Sequence, residues 1–444
     1  MATIYHLRHH HLLSFSPLPS SSPFYPSRLY FPTHPRPRKI LSCLSINHSN
    51  NTQIIAGNTQ CHQESHDVLR VVLAAGGTGG HIIPALAIAD ELKIANPNTQ
   101  IIFIGTPDGM ESTSVPSAGY PFSPIPPVRL FRPLISLRNL SLPFHLIQSI
   151  IHSFKLLKDF DPHVVIGTGG YVSFPTCLAA LLRGIKIVIQ EQNSVPGIAN
   201  YILSLFAEVV FVAYNSTVEC FPRKHKCVVS GNPIRLSLRQ FVSKAVARKL
   251  FFPRSAGKEN AKVILVLGGS LGAHAVNIAF LNLYSQMLLQ HKNWFIIWQT
   301  GVEAYNEMES LVRNHSHLIL TEFLHTMDLA YAAADLVVSR AGAMTCTEIL
   351  ATGKPAILIP SPNVEEGHQL KNALLMADVA GSRYITEEDE LDSTTLGTAI
   401  EEILGDETLM ADMSERALKA AKPDASAEIA RQILSLFETS TTKK

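Results

Sequence analysis

Along the chain, short apolar runs alternate with stretches whose apolar residues recur every three or four positions, a rhythm that predicts strands followed by helices. From Leu69, LRVVLAAGG reads as a strand and HIIPALAIADELKIA as a helix, and QIIFIGT, PHVVIGTGG, IKIVIQEQN and AEVVFVAY read as further strands. These runs are rich in β-branched residues, as suits strands covered on both faces. The rhythm then restarts. AKVILVLGGSLGAHAVNIAFLNL repeats strand, Gly-rich turn and helix, and WFIIWQTG, LILTEFL, ADLVVSRAGAMTCTEILATG and PAILIPSP follow. The pattern predicts an α/β chain of two doubly wound, Rossmann-like domains, 66–232 and 263–430, joined by a polar, basic linker over 233–262 and followed by a tail over 431–444. Tandem domains of this kind hold a ligand at the carboxyl ends of their strands, in the cleft where they face each other.

The length of 444 residues agrees with two cores. A net charge of +1, with few basic runs and no interleaved aromatics, argues against nucleic acid as a partner. The six cysteines form no C-x-x-C pair and the histidines are dispersed, so neither a disulfide scaffold nor a protein-held metal is expected. The first 63 residues contain no Asp or Glu but carry Arg8, Arg28, Arg36, Arg38 and Lys39 among many Ser, Pro and His. That composition predicts a disordered transit peptide over 1–65, and its proline content favours a chloroplast or other plastid over a mitochondrion. The alternative is a disordered tail with no address. No uninterrupted apolar run is long enough to span a bilayer. Any membrane contact is therefore peripheral.

Three Gly-rich turns carry the candidate chemistry: GGTGGH from Gly76, GTGGYVSFP from Gly167 and GGSLGAH from Gly268. Glycines bring backbone N–H groups close to a ligand, and the helix that follows adds the positive end of its dipole, a combination that suits phosphate oxygens. The first turn is neither a Walker A loop nor G-x-G-x-x-G, because no Gly-Lys-Ser/Thr follows and Ile82 takes the last glycine position. His81 closes this turn at a helix N-terminus, where the dipole favours the neutral imidazole; it is either a general base or an ordinary turn residue. Pro84 fits a first-turn proline. Thr345-x-x-Glu348 spells a capping box, yet a carboxylate there also has the acceptor sites for two vicinal hydroxyls. Between Glu111 and Asp159 there is no acidic residue, whereas Arg129, Arg132, Arg138, Lys155 and Lys158 lie among Leu130, Phe131, Leu134, Ile135, Leu137, Leu140 and Phe144. That stretch suits an anionic membrane surface, or else packs on the first domain.

The segments LAAGGTGGHIIPALAIADEL, GTGGYVSFP, EQNSVPGIAN, GNPIR, LGGSLGAHAVN, ADLVVSRAGAMTCTEILATGKPAILIP and EEGHQLKNA, in this order and spacing, closely resemble the MurG branch of glycosyltransferase family 28. The resemblance runs from about Leu69 to Ala430. It implies a GT-B fold and an inverting transfer of N-acetylglucosamine from UDP-N-acetylglucosamine to the 4-hydroxyl of lipid I, a muramoyl-pentapeptide diphospho-polyprenol, giving lipid II in peptidoglycan biosynthesis. No cofactor is implied. It makes the first domain the acceptor and membrane side and the second the UDP-sugar side. Gly76, Gly77, Thr78, Gly79 and Gly80 would cradle the acceptor diphosphate, and His81 would deprotonate or orient the acceptor hydroxyl. Asn193 would lie near the acceptor or donor sugar, with Glu191 either beside it or buttressing the loop. Gly269, Ser270 and Arg235 would meet the donor phosphates, Glu348, with Thr345 one helical turn before it, the ribose, and His368 and Gln369 the donor sugar. Asn372, one helical turn from His368, is either a sugar contact or a solvated or structural amide.

Two positions depart from the pattern: Leu271 replaces a common glutamine, and His368 replaces a second one. Other readings keep the fold: transfer to another plastid lipid, as in galactolipid synthases; a non-catalytic UDP-sugar or lipid-binding factor in plastid division; or, disfavoured by the acceptor-side turns, a UDP-sugar 2-epimerase.

Overall fold

The computed structural model describes residues 68–128, 136–253, 260–362, 367–386 and 391–441. The predicted leader, and residues 129–135 of the basic and apolar stretch, lie outside them. In the first half, β1 (Arg70–Ala74) leads into α1 (Gly79–Ala95), β2 (Gln100–Gly105), α2 (Glu111–Ser117), β3 (Phe122–Pro124), α3 (Leu142–Phe160), β4 (Val164–Gly167) and α4 (Gly170–Leu182). Then come β5 (Lys186–Glu191), α5 (Ile198–Ser204), β6 (Val209–Val212), α6 (Asn215–Val218) and β7 (Cys227–Val229). All pair in parallel in the order β3-β2-β1-β4-β5-β6-β7.

The second half comprises α7 (Lys244–Phe251), β8 (Lys262–Leu267), α8 (His274–Gln290), β9 (Trp294–Gln299), α9 (Tyr305–Leu311), β10 (Leu318–Thr321), α10 (Met327–Ala333), β11 (Leu336–Ser339) and α11 (Ala343–Thr352). It ends with β12 (Ala356–Leu358), α12 (His368–Ala380), β13 (Arg383–Tyr384), α13 (Ser393–Gly405), α14 (Glu407–Ala420) and α15 (Ala425–Thr441). Its parallel sheet runs β10-β9-β8-β11-β12-β13. Strand order reverses between β1 and β4 and between β8 and β11, so each sheet opens a crevice at the carboxyl end of its first strand. The Gly76 and Gly268 turns stand at those two points. The expected pair of doubly wound α/β domains is present.

Each sheet is buried on both faces. Leu73, Phe103 and Ile166 pack with α1 on one face of the first sheet, and Val72, Val165 and Ile189 pack with α4 on the other. The predicted linker is no bare connection: Ala247 and Phe252 enter the core of the second domain, where Phe252 meets Phe295 at 5.0 Å between ring centroids. The predicted 431–444 tail is corrected as well. Residue 430 falls within α15, which packs on α1 and buries Ile429, Ala430 and Ile433 in the core of the first domain, so the chain crosses back onto it. Burying each isoleucine is worth roughly 1.5–3 kcal/mol, which explains why the last helix docks.

Pro84 is not in the first turn either. Because α1 starts at Gly79, Pro84 is its sixth residue, as Pro175 is of α4. Sequence patterning missed the short strands β3, β7 and β13, whose two or three residues carry no period.

Candidate active site

The first two Gly-rich turns are built against each other. Gly169 and Gly170 have φ of +103° and +80°, and a Cβ on Gly170 would stand 2.3 Å from the Gly76 carbonyl oxygen. One on Gly169 would stand 2.8 Å from the His81 ring. Only glycine fits both positions. The Thr168 hydroxyl donates to the His81 carbonyl at 2.9 Å, pinning the start of α1 to the end of β4.

His81 Nδ1 lies 3.1 Å from the Gly76 carbonyl oxygen, which can only accept, so in the neutral ring Nδ1 carries the proton and Nε2 the lone pair. That tautomer equips Nε2 as a base. The turn is braced by Glu111, buried at 0% exposure, which sequence reading missed. Its carboxylate accepts from Gly77 N at 3.2 Å, from Thr106 N at 2.8 Å and from the Thr106 hydroxyl at 2.7 Å. Gly77 therefore directs its N–H to Glu111 in this structure. The N–H groups of Thr78, Gly79 and Gly80 donate to no other described residue, as a diphosphate cradle requires.

Glu191 is the buttress. It is buried, and its carboxylate accepts from Asn193 N at 3.0 Å, Asn193 Nδ2 at 3.1 Å, Gly197 N at 3.2 Å and Asn200 Nδ2 at 2.8 Å. Four bonds to its own loop leave it no role toward a sugar. Asn193 bridges the domains: its Oδ1 lies 3.5 Å from Nδ2 of Asn372, whose own Oδ1 accepts from Ser194 N at 3.2 Å. Asn372 is buried and also donates to the Ala341 carbonyl at 3.1 Å, the contacts of a structural amide.

Across the cleft, the turn after β8 packs against the end of β9. Gly301, with φ of +88°, has no room for a Cβ, which would meet Gly272 N at 2.2 Å. Buried Gln299 donates to the Gly269 carbonyl at 2.8 Å and accepts from Leu324 N at 3.0 Å. The Ser270 and Leu271 carbonyls accept from Val302 N and Glu303 N, both at 3.1 Å. With the carbonyls so engaged, the N–H groups of Gly269, Ser270, Leu271 and Gly272 donate to no described residue, ahead of the N-terminus of α8. Like Glu111, Gln299 left no local signal in the sequence.

The capping box does not form. Gly342 is the N-cap of α11, so Thr345 is already its third residue and Glu348 its sixth, and no side chain caps the helix. Glu348 is 3% exposed; its Oε2 accepts from the Tyr331 hydroxyl at 3.1 Å, and Arg235 Nε lies 3.7 Å from Oε1. Oε1 is buried without a hydrogen bond among the described residues, leaving acceptor capacity for a donor hydroxyl. Burial raises the Glu348 carboxyl above its usual range, opposed by Arg235 and the Tyr331 hydroxyl. Arg235, expected at the phosphates, is thus anchored at this carboxylate. His368 and Gln369 open α12, and Gln369 Oε1 accepts from Ser361 N at 2.9 Å, leaving its amide N–H groups as donors.

Among the described residues no cluster of His, Cys, Asp and Glu is placed to hold a metal. The chain's Asp-x-Asp, Asp159 and Asp161, ends α3, where Asp161 pairs with Arg70 at the start of β1, the end of the sheet away from the Gly-rich turns.

Residues 71–212 match the glycosyltransferase family 28 N-terminal domain, and residues 263–429 match its C-terminal domain. The chain belongs to glycosyltransferase family 28. The UDP-N-acetylglucosamine–N-acetylmuramyl-(pentapeptide) pyrophosphoryl-undecaprenol N-acetylglucosamine transferase of Salinibacter ruber is 40% identical over 368 residues, 83% of this chain and 97% of its own. The enzyme of the same name from Flavobacterium psychrophilum is 41% identical, over 83% and 98%. The crystal structure of MurG from Acinetobacter baumannii matches with a TM-score of 0.63 at 28% identity, over 83% of this chain and 99% of that one. The fold is the family's GT-B fold. As a family 28 glycosyltransferase the protein holds the His81 turn in its N-terminal domain and the Gly268 turn in its C-terminal domain.

Proposed function

We propose that this protein transfers N-acetylglucosamine, with inversion, from UDP-N-acetylglucosamine to the 4-hydroxyl of lipid I. The observation that carries the reading is the Nδ1 contact of His81 with Gly76, which sets Nε2 as a base in the domain that bears the free N–H groups of Thr78, Gly79 and Gly80. Nε2 takes the proton from the acceptor hydroxyl as its oxygen attacks the anomeric carbon, the bond from that carbon to the UDP oxygen breaks, and UDP leaves. The N–H groups of Gly269 to Gly272 and the α8 N-terminus stabilise the charge that develops on the leaving phosphate. Glu348 takes a ribose hydroxyl through Oε1, and Gln369 donates to the transferred sugar.

We further propose that the acceptor is met at an anionic membrane. Leu137, Leu140, Phe144, Ile147 and Ile151 are exposed along the segment before α3 and on α3, with Lys155 and Lys158 also exposed on that helix. Apolar side chains that enter the headgroup region beside basic residues that pair with its charge make a peripheral anchor. No helix among the described residues is long and apolar enough to cross a membrane. The acid-free, Arg-bearing leader supports delivery to a plastid.

Competition between acceptors tests the reading. Offered lipid I and diacylglycerol together, with UDP-N-acetylglucosamine and UDP-galactose, the leaderless protein is expected to add one N-acetylhexosamine to lipid I alone. A galactosylated diacylglycerol product would replace this reading with the galactolipid one. Fusion of residues 1–65 to a fluorescent protein is expected to direct it into plastids; cytosolic fluorescence contradicts that localisation.

A further inference from the structure

Beneath the cleft lies a run of buried amide side chains that the reaction as described does not use. Gln190, Gln192 and Asn232 are 0%, 2% and 2% exposed. Gln192 Nε2 donates to the Thr168 carbonyl at 2.8 Å, and the Thr168 hydroxyl in turn holds the His81 carbonyl. Gln192 also donates to Gln190 Oε1, and Gln190 Nε2 donates to Asn232 Oδ1 at 3.0 Å. Asn232 Nδ2 then divides its two protons between the domains. One goes to the Gln192 carbonyl at 2.9 Å and the other to the Thr347 hydroxyl at 3.0 Å. Thr347 lies on α11 beside Glu348, and its hydroxyl donates to the Ala343 carbonyl at 2.9 Å.

A continuous hydrogen-bonded path therefore joins the His81 turn to the helix that carries Glu348. Burying three amides in an interface is costly unless each is satisfied, and here each is satisfied mainly by another member, a geometry that resists sliding of one domain over the other. We infer that Asn232 is a positioning residue: through Gln192 and Thr347 it sets the separation between the base of the acceptor half and the ribose carboxylate of the donor half. The donor-binding groups all lie on the Thr347 side of Asn232 or at Arg235, so loss of the bridge leaves UDP its contacts and misplaces the acceptor base.

Two variants probe this, Asn232→Ala and the near-isosteric Thr347→Val, which removes the cross-domain acceptor together with the hydroxyl's bond to the Ala343 carbonyl inside α11. Each is expected to lower kcat about 10- to 100-fold, the cost of misplacing reacting groups by the order of an ångström. The KM for UDP-N-acetylglucosamine and the Kd for UDP should stay within about threefold, and the double variant should be no slower than Asn232→Ala, since both changes break one bridge. A readout independent of the acceptor is hydrogen exchange with UDP added. In the wild type, UDP should slow exchange of the Gln192–Asn193 amides about fivefold or more, the low end of a coupling between sites, and neither variant should show this slowing. Normal kcat in both variants, a loss confined to UDP affinity, or UDP protection that survives in them overturns the inference. An inactive wild type overturns the lipid I reading instead, and the exchange comparison still decides the role of Asn232.

Discussion

Glu348 sets its proposed contact with the ribose against stability. Its carboxyl is buried beside Tyr331 and Arg235, and burial raises its pKa. Between the unfolded value and the raised folded one, the folded state holds the proton that the unfolded state has lost, so stability falls as pH rises through that window. Glu348→Gln removes this term. The variant is expected to melt higher than wild type at neutral pH, with the gap closing below the ordinary carboxylate pKa, and to bind UDP about 10- to 100-fold more weakly through lost charge-assisted hydrogen bonds. Thermal scans against pH, with calorimetry of UDP binding, check both. Glu111 is the acceptor-side counterpart. Glu111→Gln swaps one acceptor oxygen for a donor facing Gly77 N or Thr106 N, and is expected to cost roughly 1–3 kcal/mol and most of the transfer activity, with UDP affinity unchanged.

At the scale of elements, the turns were legible and their braces were not. A turn that must adopt positive φ or approach another backbone leaves glycine in the sequence, as Gly169, Gly170 and Gly301 show. Gly170→Ala places a methyl group against the Gly76 carbonyl at a φ that alanine resists, and is expected to abolish transfer while leaving UDP binding in the second domain; activity assay beside UDP titration checks this. Glu111 and Gln299 are single polar residues whose partners fold in from other segments, so no local period announces them. The Thr345–Glu348 spacing misled for a related reason: the same residues fit a cap, and only the position of Gly342 shows that the helix has already begun. The linker was misread because polar, basic sequence still supplied Phe252 to a core, and the boundary at 430 was misplaced because α15 runs on past it and brings Ile433 to the first core.

At the largest scale, the two described domains are tied by Asn232, Asn372 and the returning α15, and the second carries a pH-sensitive packing site remote from the cleft. Lys354 donates to the Ala334 carbonyl at 2.9 Å, and burial, with Lys244 and Arg248 nearby, lowers its pKa to about 8. Between about 8 and the ordinary lysine value, the unfolded chain binds the proton that the folded chain has released, so this group makes stability rise with pH over that window. The stability difference between wild type and Lys354→Met is expected to shift in favour of wild type across the same range in chemical denaturation; a pH-independent difference contradicts the assignment.

On the proposed function, the two domains together make a transferase whose base is His81. The most direct test incubates the leaderless protein with UDP-N-acetylglucosamine and lipid I in detergent and weighs the product, beside His81→Ala with UDP binding measured on both. Wild type is expected to give a product heavier by one N-acetylhexosamine and the variant a rate about 100- to 10,000-fold lower, with equal UDP affinity. Unchanged transfer by His81→Ala, or no product from a wild type that binds UDP, would contradict it.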